Sequence, residues 1–187
     1  MINHVEKFIF IHPEKCAGTS LRIILRRNFR ETNIENEHAG HLGINKISTW
    51  ANMPLDKYFK FGVVRNTWDR VVSFYYHCVT HRDFQGSFEN FVLNYSELHL
   101  PFFNMQSKFT IQGKYMMDFV VRFENYREDF SFIMDQLGIK NFDIPHEDHA
   151  TVRKNVDYRS MYSQRTIDKV SELFRWEINQ FGYKFGD

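Results

Sequence analysis

Phe8-Ile-Phe-Ile-His-Pro-Glu-Lys-Cys-Ala-Gly-Thr-Ser20 sets an apolar, β-type run against a lysine and a Gly-Thr-Ser turn. That order predicts a strand, a small-residue loop and then a helix. A junction of this kind gathers backbone N–H groups that have no intrahelical partner, and the helix dipole adds positive potential at the same place. Lys15 brings a full charge, Thr19 and Ser20 bring hydroxyl donors, and Gly18 lets the backbone approach an oxyanion closely. The stretch reads as a phosphate cradle. Its lysine precedes its glycine, whereas a Walker A loop ends in Gly-Lys-Ser/Thr, so an ATP-type cradle is not supported. Taken alone, the same residues also suit a tight strand–helix turn with a solvated lysine.

Outward from this stretch, residues 7–12 read as a buried strand. Residues 19–29 form a helix with Leu21, Ile24, Leu25 and Phe29 on one face. Residues 31–47 are polar, a loop leading to a short helix. Residues 59–64 make a second strand, and a helix runs from Thr67, as its N-cap, to about Val79. Residues 87–95 are helical and 101–113 irregular. A third strand over 118–123 leads to a helix over 126–137, with Glu124 and Asn125 capping it and Gly138 ending it. After a polar loop at 145–158, one last helix spans 165–181. Strands alternating with helices predict an α/β chain, a central parallel sheet flanked by helices, in a single domain over residues 1–187.

The second constellation is Val63-Val-Arg-Asn-Thr-Trp-Asp-Arg-Val-Val-Ser-Phe-Tyr75. Arg65 falls at the carboxyl end of the second strand. Arg70, Ser73 and His77 follow at steps of three and four, hence on one helix face. A guanidinium fork from Arg65 with the Ser73 hydroxyl suits a second phosphate. The plainer alternative pairs Arg70 with Asp69 or Glu89 and leaves Ser73 as a small packing residue. Both clusters lie at strand carboxyl ends, where open α/β sheets bind ligands. Together they point to a ligand with phosphates at two positions.

Lys15-Cys-Ala-Gly-Thr-Ser20 resembles the 5′-phosphosulfate loop of the sulfotransferases that use 3′-phosphoadenosine 5′-phosphosulfate (PAPS). Val64-Arg-Asn-Thr-Trp-Asp-Arg-Val-Val-Ser73 is similar to their 3′-phosphate segment, including the spacing from Arg65 to Ser73. Arg122-Phe-Glu-Asn-Tyr126 and Phe181-Gly-Tyr-Lys-Phe185 resemble later landmarks of the carbohydrate-type branch, so the likeness covers about residues 8–185. Two positions depart from the pattern. Glu14 stands where a proline usually precedes the lysine, and Thr67 stands where a proline usually follows Arg-Asn.

The resemblance implies a P-loop-like sulfotransferase architecture and an enzyme that moves a sulfuryl group from PAPS to a hydroxyl or amine acceptor. In that role Lys15 is catalytic, binding the bridging and 5′-phosphate oxygens, while Cys16, Ala17, Gly18, Thr19 and Ser20 hold the 5′-phosphate. Arg65 and Ser73 hold the 3′-phosphate, and Arg153 and Lys154 resemble the late basic pair that closes over the nucleotide. Gly40-His41 and the residues after it resemble the family's histidine segment, which makes His41 the expected general base, with His38 and Glu37 as neighbours able to replace it. His12 is expected to orient the loop. Only residues 21–64 separate the two phosphate motifs. That compactness predicts an open cleft and a glycan as the acceptor. No metal is expected.

Bulk composition agrees with a folded enzyme. At 187 residues and 43% hydrophobic content the chain can bury a substantial core. Its net charge of +1 gives nothing that draws it as a whole to nucleic acid. Cys16 and Cys78 are the only cysteines, which suits a reducing, cytoplasmic setting. A P-loop kinase and a non-catalytic nucleotide-binding module remain as alternatives. Asp118, at the start of the third strand, is a poor magnesium ligand for the kinase.

Overall fold

The computed structural model describes residues 1–29, 34–35, 42–51, 54–95, 103–140, 142 and 156–187. Ile2–Asn3 (β1) turns back onto Phe8–Ile11 (β2) as an antiparallel pair, with Asn3 Oδ1 accepting from the backbone N–H groups of Val5 and Glu6. Gly18–Asn28 (α1) follows, then Ile34–Glu35 (β3), which pairs antiparallel with β1. Ile44–Ala51 (α2) precedes Phe59–Val64 (β4), and β4 lies parallel to β2 with Phe8 opposite Phe59 and Phe10 opposite Phe61. After Thr67–His81 (α3), Phe88–Asn94 (α4) and Met105–Phe109 (α5), a hairpin of Thr110–Ile111 (β5) and Lys114–Tyr115 (β6) forms. Phe119–Arg122 (β7) then pairs parallel with β4. Tyr126–Gln136 (α6), Gln164–Leu173 (α7) and Arg175–Phe181 (α8) complete the elements. The five-stranded sheet has the order β3-β1-β2-β4-β7.

The chain divides into two compact units, Met1–Val64 with Met105–Glu147 and Arg65–Asn104 with Asp148–Asp187. The first holds the whole sheet. Every residue of β2 is buried, as a parallel strand covered on both faces requires. Phe10 and Phe61 stack at 5.2 Å between ring centroids, and each such ring contributes roughly 1.5–3 kcal/mol by leaving water. Gly62 lets β4 pass under Phe109: a Cβ there would lie 2.8 Å from the Phe109 ring and 2.9 Å from Ile11 O. Asp118 lies one residue before β7, and its Oδ2 accepts from the Lys60 backbone N–H while sitting 2.6 Å from Lys60 Nζ.

The second unit packs α3, α4, α7 and α8 around aromatic rings. Phe74 and Phe103 stack at 4.6 Å, and Phe174 meets Phe103 edge-on at 5.8 Å.

Several expectations change. β1 runs against the other four strands of the sheet, which makes it mostly rather than wholly parallel. Residues 101–113 include α5 and the start of the β5–β6 hairpin. The last helix is two, because the backbone leaves helical geometry at Phe174. Thr67 is not a cap: Asn66 takes that position. At α6 Asn125 occupies the cap position, but its side chain makes no capping bond and its Nδ2 donates instead to Asp129 Oδ1.

Candidate active site

The first candidate anion site, in the first unit, is the loop between β2 and α1. Two of its residues carry left-handed backbone without being glycine: Lys15 at φ 64° and Ala17 at φ 58°. This alternation turns the chain sharply out of the sheet and into the helix. Ala17 is the cap residue, and no side chain caps α1 and no acid lies in its first turn among the described residues. The start of α1 therefore keeps its positive end without a neutralising carboxylate. Gly18 is fixed by a steric demand, since a Cβ there would collide with the Cβ of buried His12. His12 thus lies against the loop. Lys15 and Thr19 are half-buried and Ser20 is buried. Cys16 is fully buried, with Sγ donating to Glu14 O at 3.6 Å.

One partner of this loop was not legible in its sequence. Glu14 Oε1 lies 3.4 Å from Nζ of Lys108 on α5. The two are 94 residues apart in the chain, beyond the reach of any local pattern.

The second candidate anion site, in the second unit, is the start of α3. Asn66 Oδ1 accepts from Trp68 N at 3.1 Å and Asp69 N at 3.3 Å, while its Nδ2 donates to Lys184 O at 3.0 Å. Arg65 Nε donates to Asp69 Oδ2 at 2.6 Å, and both side chains are about nine-tenths buried. That bond uses one of the five N–H donors of the guanidinium and fixes its plane. Ser73 is half-buried one turn beyond Asp69, on the same helix face.

Arg70 does not share a ligand face with Ser73. It is fully buried, and its ion pair is with Glu177 rather than with Asp69 or Glu89. Its Nη2 donates to Glu177 Oε1 on α8 at 2.6 Å, its Nη1 donates to Phe103 O at 2.9 Å, and its guanidinium lies 4.1 Å over the Phe103 ring. Thr67 Oγ1 donates to the same Glu177 oxygen at 3.0 Å. The Phe181–Phe185 landmark is structural: Lys184 O receives Asn66, and Phe185 packs edge-on against Trp68 at 5.8 Å. Arg122–Tyr126 is structural too, with Arg122 N donating to Asp129 Oδ2 as the chain enters α6. Beside the Phe181–Phe185 landmark, burial above all raises the pKa of the Tyr158 phenol, whose oxygen accepts from Gly186 N at 2.9 Å.

His41, its alternatives His38 and Glu37, and the pair Arg153 and Lys154 lie outside the described residues. Among the described residues no group of three or more His, Cys, Asp or Glu is placed to hold a metal ion. No helix among them is long and apolar enough to cross a membrane.

A family model described as the sulfotransferase family matches residues 1–184. No curated protein and no solved structure matches the chain.

Proposed function

The chain belongs to the sulfotransferase family, and on that premise we propose that it transfers a sulfuryl group from PAPS to a hydroxyl or amine acceptor, a carbohydrate in the first instance. One observation carries the choice of donor site. The β2–α1 loop ends in a helix start with no side-chain cap, no first-turn acid and a glycine pressed on His12, immediately after Lys15. This is the donor set an anion at that place demands. The donor supplies the sulfuryl group. The chain supplies charge and orientation: Cys16 to Ser20 would hold the 5′-phosphate through backbone N–H groups and the Thr19 and Ser20 hydroxyls, and the Lys15 ammonium would stabilise charge developing on the leaving phosphate.

Arg65 and Ser73 would hold the 3′-phosphate. Asp69, bound to Arg65 Nε, turns the rest of the guanidinium in a fixed direction, which suits a planar fork better than a mobile one. His41 would take the proton of the acceptor, with His38 and Glu37 as the alternatives. Arg153 and Lys154 would close over the nucleotide. The P-loop-like architecture, a single folding domain and a cytoplasmic location belong to the same proposal.

Thermal shift tests the nucleotide and turnover tests the enzyme. The reaction product 3′-phosphoadenosine 5′-phosphate (PAP) should raise Tm, because a ligand bound only by the folded state stabilises it. Arg65→Ala should weaken PAP binding by about 1.5–3 kcal/mol. Lys15→Ala should lower turnover of labelled PAPS by about 10²–10³-fold. A larger Tm shift from ATP with magnesium than from PAP would refute the donor assignment. PAP binding without turnover on any glycan or small-molecule acceptor would mark a non-catalytic module.

A further inference from the structure

We infer that Lys108 is a positioning residue of the donor loop and that it acts through Glu14. The inference rests on the sulfotransferase reading for the identity of the ligand, but its physical basis is independent of that ligand. Lys108 lies on α5 with its side chain 5% exposed, and the ammonium reaches Glu14 Oε1 at 3.4 Å. Burying an ammonium is costly unless a countercharge accompanies it, so the pair resists separation from both sides. Glu14 is joined directly to Lys15, and the loop that begins there holds Lys15 and Ala17 in left-handed backbone. Outside glycine such backbone is strained and persists only where the surroundings hold it.

The other end of the tether is also fixed. A Cβ at Gly43 would collide with Ser107 O and come within 3.0 Å of Lys108 Cα, so the residues leading into α2 press on the backbone of α5. Lys108 therefore projects from an anchored helix rather than from a yielding one. Glu14 stands where the resembling loops usually carry proline. A proline ring restricts the backbone covalently; here an ion pair across 94 residues of chain does comparable work. The pair has an electrostatic consequence as well. A lone carboxylate beside an anion loop repels the incoming ligand, and Lys108 offsets that charge so that the field of Lys15 prevails.

Glu14→Gln in the full chain tests this, because it keeps shape and removes charge. Two readouts are taken together: hydrogen exchange of the amides over residues 14–20 without ligand, and the affinity for PAP. Loop exchange should rise by about tenfold or more, and PAP should bind about tenfold more weakly. The Michaelis constant for PAPS should carry the loss while kcat changes by less than about threefold. Lys108→Met should give the same loop exchange. The double variant should lose less than the two single losses combined, because both single variants remove the same contact. Glu14→Asp should recover part of the affinity. Glu14→Gln with wild-type exchange and wild-type PAP affinity overturns the inference, even if Lys108→Met fails to fold. If the unmodified protein binds no PAP, the donor assignment falls, and loop exchange alone still decides for or against the tether.

Discussion

α1 follows the sheet strand β2 and α3 follows the sheet strand β4, and the two helices begin in opposite ways. The start of α3 is closed by its own residues. Asn66 satisfies two of its amides, Asp69 lies in its first turn, and Glu177 receives both Thr67 and Arg70. The start of α1 has none of these. A helix end that neutralises itself has little field left for a ligand, so an anion at α3 would have to be met by side chains, as proposed for Arg65 and Ser73. At α1, on the proposed reading, the backbone itself would be the receptor, with Lys15 added. The contrast explains why one motif is written in small residues and the other in an arginine spaced from a serine.

The largest effect that can break this contrast lies in the α3 network. Glu177→Gln should cost about 3–5 kcal/mol of stability, since it leaves the fully buried Arg70 without its countercharge. Urea unfolding measures it as a shift in midpoint at constant slope. Replacing the pair by Met at 70 and Leu at 177 should recover most of the loss, because well-packed apolar residues often match a buried ion pair. A loss below about 1 kcal/mol for Glu177→Gln would mean that α3 is not held by this network.

What was legible in the sequence follows the range of the interactions. The β2 strand, the loop and α1 are local features, announced by the apolar run 8–11 and the Gly-Thr-Ser turn. The family likeness rested on the same local spacing. The cap of α3 was misplaced by one residue because Asn and Thr are both good caps, and only the backbone geometry decides between them. Arg70 and Glu177 lie 107 residues apart, as unreadable from periodicity as Glu14 and Lys108. The break at Phe174 carries no Gly or Pro, and its apolar stripe continues across the interruption, so the pattern signals one helix where packing makes two. Left-handed Lys15 and Ala17 gave no signal either, because neither residue prefers that conformation.

A smaller effect sharpens the comparison from both sides. Asn66→Ala should cost about 0.5–2 kcal/mol, the ordinary value of a lost cap, with the bond to Lys184 O lost as well. The mirror substitution Ala17→Asp should give no such gain at α1. A capping side chain needs extended backbone at the cap residue, and Ala17 is left-handed at φ 58°. Its added carboxylate should instead lower the PAP-induced Tm shift, by repulsion at the loop. Chemical denaturation of both variants beside thermal shift with PAP separates the two outcomes. A stabilised Ala17→Asp would show that α1 accepts a cap like any other helix, and the asymmetry would be gone.

The smallest effect is diagnostic through its sign. Ala→Gly inside a helix normally destabilises by about 1 kcal/mol, from backbone entropy. At Ala17 the left-handed geometry reverses the balance, because removing the Cβ relieves roughly 1–2 kcal/mol of strain against that entropic cost. Ala17→Gly should therefore be neutral or up to about 1 kcal/mol more stable in urea unfolding. The same substitution should leave the Asn66 cap of α3 untouched. A loss of about 1 kcal/mol would mean that residue 17 is right-handed in solution and belongs to the helix. In that case α1 would start one residue earlier, its first amides would point elsewhere, and the backbone receptor on which the donor loop depends would not be formed.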